Sequence, residues 1–318
     1  MQSVRVRQLL RVASALLVVG LLALLIHKVD WTQVGLALEH AKLGYIALAV
    51  ILNFVNLACK TARWRTLLLP IRPVRFSRLF HYLIMSYAAS ALVPARAGEA
   101  LRVFLLRKRD GVPAVDSVGV IVVEKLFELI GLLLVVSPIP LLLMVPRWVA
   151  RSTIGLTAGG LLGVALIMLI GARQAPEGVA LRWQGLRRGA AFLRNPQRVA
   201  ESIGWSVAAY LIDALEIWFV LRALSIDVPW ATPALVLLGA NLAIIIPSTP
   251  GQFGALEAGV VAVLAIVHVP TAPALAFALV YHVSQLLPIV LVGLSGVRMM
   301  GEVRGVPSPP EPAEVAAS

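Results

Sequence analysis

Six of the sixteen acidic residues in this chain stand inside apolar runs: Glu99, Glu124, Glu128, Asp213, Glu216 and Glu257. Glu124 and Glu128 are four apart, and Asp213 and Glu216 three apart, so each pair shares one face of a helix. Arg96, Glu99 and Arg102 also repeat every three residues. On a helix that starts after Pro94 they line up, with Glu99 in reach of both guanidinium groups. Guanidinium donors in a fixed fork match phosphate or carboxylate, which makes anion recognition the chemistry on offer. The carboxylates supply counter-charge or carry protons, and Lys125 is placed to pair with Glu128.

Two breaks in the apolar pattern must position these groups. Pro94 precedes Gly98 by four residues, and Pro247 precedes Gly251 by four. Backbone that leaves a helix at membrane depth survives only inside protein or along a wet cavity, because lipid offers its polar groups no partner. A helix that opens after each break turns free N–H groups and the positive end of its dipole toward an anion. The substrate-binding candidates are therefore Pro94, Arg96, Gly98, Glu99 and Arg102 in the first break. In the second they are Pro247, Pro250, Gly251, Gly254 and Glu257. Glu124, Lys125, Glu128, Asp213 and Glu216 are the proton-coupling or counter-charge candidates.

Composition supplies the solvent. Of 318 residues, 59% are hydrophobic and 14% charged, and the mean hydropathy is +0.89. Soluble domains carry about 25% charged residues, so this is an all-α, polytopic membrane protein. One transmembrane domain is expected over 1–304, with a disordered tail over 305–318. The net charge of +12 is spread over short loops between apolar runs and forms no basic module, which argues against nucleic acid. Cys59 is the single cysteine, so neither a disulfide framework nor a cysteine metal site is available.

No catalytic constellation emerges. His81, His268 and His282 lie in or near apolar segments without metal-ligand spacing, and Ser248 and Thr249 suit helix capping better than nucleophilic attack. The chain is read as a transporter more than an enzyme, with no cofactor and no metal.

Topology follows from length and charge. A retained signal-anchor is expected over 12–26, and a second span over 43–63 closes at Arg63, Trp64 and Arg65. The run 79–93 spans about 22 Å at 1.5 Å per residue, short of the ~30 Å hydrocarbon core. It reads as one arm of a re-entrant hairpin, and 233–246 with 255–268 as another. On this layout twenty of the twenty-eight Lys and Arg residues are cytoplasmic and five external, which puts both termini inside. The architecture is six full spans plus two re-entrant hairpins from opposite faces, a pattern that suggests an inverted repeat. Gly155, Gly159 and Gly163 form a small-residue stripe, read as packing within the subunit in preference to a homodimer contact.

The run Pro94 to Arg102, the acidic helix around Glu124 and Glu128, and the run Pro247 to Glu257 together resemble the lysylphosphatidylglycerol synthase transmembrane-domain family, over roughly 12–300. That resemblance implies a bacterial or archaeal cytoplasmic-membrane protein that moves lipids between leaflets. The family's acidic motif commonly reads Glu-Arg-x-x-Asp. Here it is Glu124-Lys125-Leu126-Phe127-Glu128, which keeps the charge but loses the planar fork of arginine. The chain ends after its last span, so no aminoacyltransferase activity is expected.

The expected function is flippase or scramblase movement of a phosphate-bearing lipid, glycolipid or isoprenoid lipid through a polar groove. The expected partner is a lipid with an anionic head group. The alternatives are a membrane-embedded transferase acting on a polyprenyl-phosphate or phospholipid, and a scaffold bound to a lipid-synthesis enzyme.

Overall fold

A computed structural model describes residues 31–92, 97–172, 195–245 and 252–301. Pro94, Arg96, Pro247, Pro250 and Gly251, with the 12–26 run, most of the basic 173–198 link and the C-terminal tail, lie outside these residues. The described residues are helical, without a strand. In order they form α1 Trp31–Glu39, α2 Leu43–Leu68, α3 Phe76–Leu92, α4 Ala97–Asp110, α5 Ala114–Val136, α6 Ile139–Leu142, α7 Arg147–Ala172, α8 Pro196–Ala223, α9 Thr232–Ile245, α10 Ala255–Ile266 and α11 Thr271–Gly301.

Helices α2 and α8 are the axis. They run antiparallel: Asn53 early in α2 reaches Glu216 late in α8, Arg63 reaches Ser206, and the Lys42 N–H donates to the Ala223 carbonyl. At about 1.5 Å per residue both exceed the ~30 Å hydrocarbon core. Both are apolar enough to cross a membrane, and only 28% and 33% of their most apolar windows are buried. Leu43, Leu48, Ile51 and Val55 on α2 face outward, as do Leu211 and Leu215 on α8. An exposed apolar face of this extent is at home against lipid tails.

Two apolar cores occupy opposite ends of this axis. One gathers Leu57, Trp64, Leu67 and Leu68 of α2 with Leu79, Leu83 and Ile84 of α3, Leu105 and Leu106 of α4, and Phe127 of α5. The other gathers Ile217, Val220 and Leu221 of α8 with Leu235 and Val236 of α9, Leu256 and Val260 of α10, and Phe277 of α11. Each core contains one short helix pair, α3–α4 or α9–α10. Their helices have 17, 14, 14 and 12 residues, each too short to cross ~30 Å of hydrocarbon.

Glycine closes both pairs. A Cβ on Gly98 would collide with the Ser86 carbonyl oxygen, and Gly239 and Gly259 approach each other backbone to backbone. Gly131 does the same between α5 and α8, where a Cβ would stand 2.7 Å from that of Ser206. The small-residue stripe behaves otherwise. Gly155, Gly159 and Gly163 have no described residue within 4 Å of an added Cβ, while Gly160 carries the contact to Leu133. Among the described residues the packing expected of the stripe within the subunit is not made, because the register of α7 turns Gly160 to the core.

Candidate functional site

The second span does not close at Arg63. Helix α2 continues to Leu68, with Arg63 and Trp64 among its most buried side chains and Arg65 exposed. Arg63 is therefore a site residue and no loop cation. Its Nη2 donates to Glu128 Oε1 at 2.7 Å and to Glu124 Oε1 at 3.5 Å, and its Nη1 donates to Ser206 Oγ at 3.1 Å.

Glu124 is the hub. On its other side Arg102 of α4 grips it with both terminal nitrogens, Nη2 to Oε2 at 2.6 Å and Nη1 to Oε1 at 3.3 Å. The Arg102 guanidinium also lies over the Trp64 ring at 3.9 Å, a cation–π contact that sets the plane of the fork. Arg63, Arg102 and Glu124 are at most 3% exposed. Each of the two arginines nevertheless keeps its Nε–H without an acceptor among the described residues.

Toward the outside the network passes to Lys125, which donates to Glu128 Oε2 at 2.9 Å and stands 3.8 Å from Glu99. Lys125 and Glu99 are its accessible edge, with side chains 48% and 32% exposed. The expected alignment of Glu99 with Arg102 is not formed: Arg102 turns to Glu124, which is better buried and offers both oxygens. Gly98, in the first turn of α4, lets that helix lie against α3 closely enough to aim Arg102 at α5.

A second polar layer adjoins the first along α2, α8 and α11. Lys60 Nζ lies 3.8 Å from Asp213, which the Asn56 and Gln285 side chains also face. One turn on, Glu216 is fully buried. Its Oε2 accepts from Gln285 Nε2 at 3.1 Å and Asn53 Nδ2 at 3.4 Å, and its Oε1 is 2.8 Å from Ser284 Oγ. Asn56 ties the helices together by donating to the Ala209 carbonyl at 2.6 Å.

Glu257 takes no part in these contacts. Its Oε2 accepts the Gly254 N–H at 2.6 Å, which caps α10, and its Oε1 accepts from His282 Nδ1 at 2.6 Å. The Phe253 ring rests on that imidazole at 4.4 Å. Gly254 has φ +89°, a conformation open to glycine and costly to other residues.

The structure thus joins Arg102, Glu124, Lys125, Glu128 and Glu99 in one network and sets Asp213 and Glu216 beside it. Gly98 and Gly254 shape the backbone. Sequence reasoning missed Asn53, Asn56, Lys60 and Arg63, and also Ser206, His282, Ser284 and Gln285. The signal for the first four was present: spacings of three, four and three put them on one face of α2. Ending the span at a cluster of basic residues hid that face.

A family model described as the lysylphosphatidylglycerol synthase TM region matches residues 11–293. The chain is also similar to a UPF0104 membrane protein of Methanocaldococcus jannaschii. The two are 24% identical over 217 residues, which cover 64% of this chain and 90% of that protein.

Proposed function

This chain belongs to the lysylphosphatidylglycerol synthase TM region family, and we propose that it moves a phosphate-bearing lipid, glycolipid or isoprenoid lipid between the leaflets of a cytoplasmic membrane. The observation that carries this reading is the pair of guanidinium groups at Arg63 and Arg102. Both are buried, both are held by Glu124, and both keep an N–H donor without an acceptor among the described residues. Buried ion pairs add little stability over apolar packing, so a network of this size is better explained by a polar ligand than by stability. A head-group phosphate entering past Lys125 and Glu99 meets donors already oriented, while acyl or prenyl chains stay in lipid. Arg96, Pro94, Pro247, Pro250 and Gly251 stay substrate-binding candidates in this proposal on their residue types alone.

The layout that suits this task has α3–α4 and α9–α10 as re-entrant pairs entering from opposite faces, related as an inverted repeat among six full spans. Burial of Arg63 and Arg102 removes two cations from the cytoplasmic tally and leaves eighteen against five, still with both termini inside.

The test is reconstitution of the purified chain into phosphatidylethanolamine–phosphatidylglycerol vesicles with a fluorescently tagged phospholipid, followed by chemical quenching of the outer leaflet. Protein-containing vesicles lose the protected inner-leaflet signal faster than empty ones, and Arg102→Ala slows that loss. A rate equal to that of protein-free vesicles, across phospholipid, glycolipid and isoprenoid-phosphate probes, removes the reading.

A further inference from the structure

Ser206 and Ser284 make the same local bond and differ in what lies beyond it. Each hydroxyl sits against a carbonyl of the preceding turn, Ser206 at 2.8 Å from the Ser202 oxygen and Ser284 at 2.7 Å from the Tyr281 oxygen. A hydroxyl has one proton, and once that is given to a carbonyl it can only accept. Ser206 does accept, from Arg63. Ser284 stands 2.8 Å from Glu216 Oε1. Two oxygens at that separation hold a proton between them. Ser284 has one proton for two acceptors, the Tyr281 carbonyl and Glu216 Oε1. A proton on Glu216, donated to Ser284 Oγ, lets both contacts be hydrogen bonds, and Glu216 is fully buried with no ion pair among the described residues.

The remaining contacts agree. Glu216 Oε2 receives N–H groups from Gln285 and Asn53, as the carbonyl oxygen of a neutral acid would, and Asn53 also donates to Gln285 Oε1 at 2.6 Å. These inward-facing amide donors would repel a metal cation. The other buried carboxylates differ. Glu124 has two arginines, Glu128 an arginine and a lysine, Asp213 has Lys60, and Glu257 has His282 with a backbone N–H.

The groups facing Glu216 are Asp213 on its own helix, Lys60 on α2 and Tyr281 on α11. Glu128 of α5 and Tyr210 lie nearer Asp213, and α9 brings no titratable side chain. We propose that Glu216 is a resident neutral carboxylic acid and the proton-binding site through which lipid movement is coupled to a proton gradient. Release of that proton to water leaves a carboxylate and one uncompensated negative charge. The ionised form therefore needs solvent or an incoming cation between α8 and α11. The coupling half rests on the translocation reading; the protonation half does not.

Infrared spectroscopy of the full chain in phosphatidylethanolamine–phosphatidylglycerol vesicles tests the protonation. At neutral pH a carboxylic-acid carbonyl band is expected that is lost in Glu216→Gln and moves to higher frequency in Ser284→Ala, where its acceptor is gone. No such band, or a band unchanged in both variants, overturns the assignment. So does stabilisation of the wild type by sodium at fixed ionic strength that Glu216→Gln abolishes, since that result makes the site one for a metal cation. In vesicles that move lipid, an imposed pH gradient changes the wild-type rate and leaves the Glu216→Gln rate unaltered; a wild-type rate indifferent to the gradient overturns the coupling. A protein that shows the band and moves no lipid supports the protonation and overturns the coupling, together with the translocation reading.

Discussion

The two short helix pairs share a construction and differ in what they hold. Both α3–α4 and α9–α10 are closed where glycine admits the backbone of the facing helix, and both sit in an apolar core at one end of the α2–α8 axis. The first pair sends Arg102 and Glu99 to α5 and is bound into the ion network. The second carries one carboxylate, Glu257, and uses it on its own N-terminus and on His282. Charge fixes the first pair; apolar packing and a cap fix the second. The polar chemistry of the described residues is thus concentrated on the first pair, α5, the axis helices and α11.

The largest effect expected from this asymmetry is in stability. Glu124→Ala strips the shared counter-charge from two buried guanidinium groups, and breaking one buried ion pair costs about 3–5 kcal/mol. Glu257→Ala removes a helix cap, at about 0.5–2 kcal/mol. Thermal unfolding of the detergent-purified variants compares them directly. Equal losses would mean that both pairs are electrostatically held, and the comparison would collapse.

Much of this was legible in the chain. The helical class, the inward carboxylates and the family resemblance all followed from residue types and spacing. Helix ends read from charge alone did not, since Arg63 looks like a loop residue until its partners on α5 and α8 are in place. A carboxylate four residues from another announces a shared face, but not which cation crosses to it. For that reason Arg102 was expected beside Glu99 and is found on Glu124. Serines such as Ser206 and Ser284 carry no signal in sequence, because their role depends on a single proton and a neighbour from another helix. The unused Gly155, Gly159 and Gly163 stripe fails in the reverse sense: the spacing was right and the register pointed it outward.

A middle-sized effect separates the two pairs by what each glycine touches. Gly98→Ala drives a methyl into the Ser86 carbonyl oxygen, which is fixed in the α3 backbone, whereas Gly239→Ala meets the Val263 methyls at 2.5 and 2.8 Å and backbone, the Gly259 oxygen, only at 3.0 Å. Overpacking of this kind costs about 1–3 kcal/mol, with Gly98 expected toward the upper end and Gly239 toward the lower. Melting temperatures of the two variants sharpen the contrast. The reverse order would make α9–α10 the more rigid pair.

The smallest stability change is expected at the accessible edge, where it separates structure from function. Lys125→Gln loses a half-exposed cation whose ion pairs are worth about 0–1 kcal/mol each, so the protein should melt close to the wild type. If the first pair admits the head group, the same substitution removes the first cation a phosphate meets and slows translocation well out of proportion to its effect on folding. Glu257→Gln is the matched change on the second pair: it alters the cap and the His282 contact without touching the network. A wild-type rate for Lys125→Gln beside a lost rate for Glu257→Gln would put the working end at α9–α10. In that case the charge on the first pair serves to hold the fold, and the route for the head group must be sought at the other core.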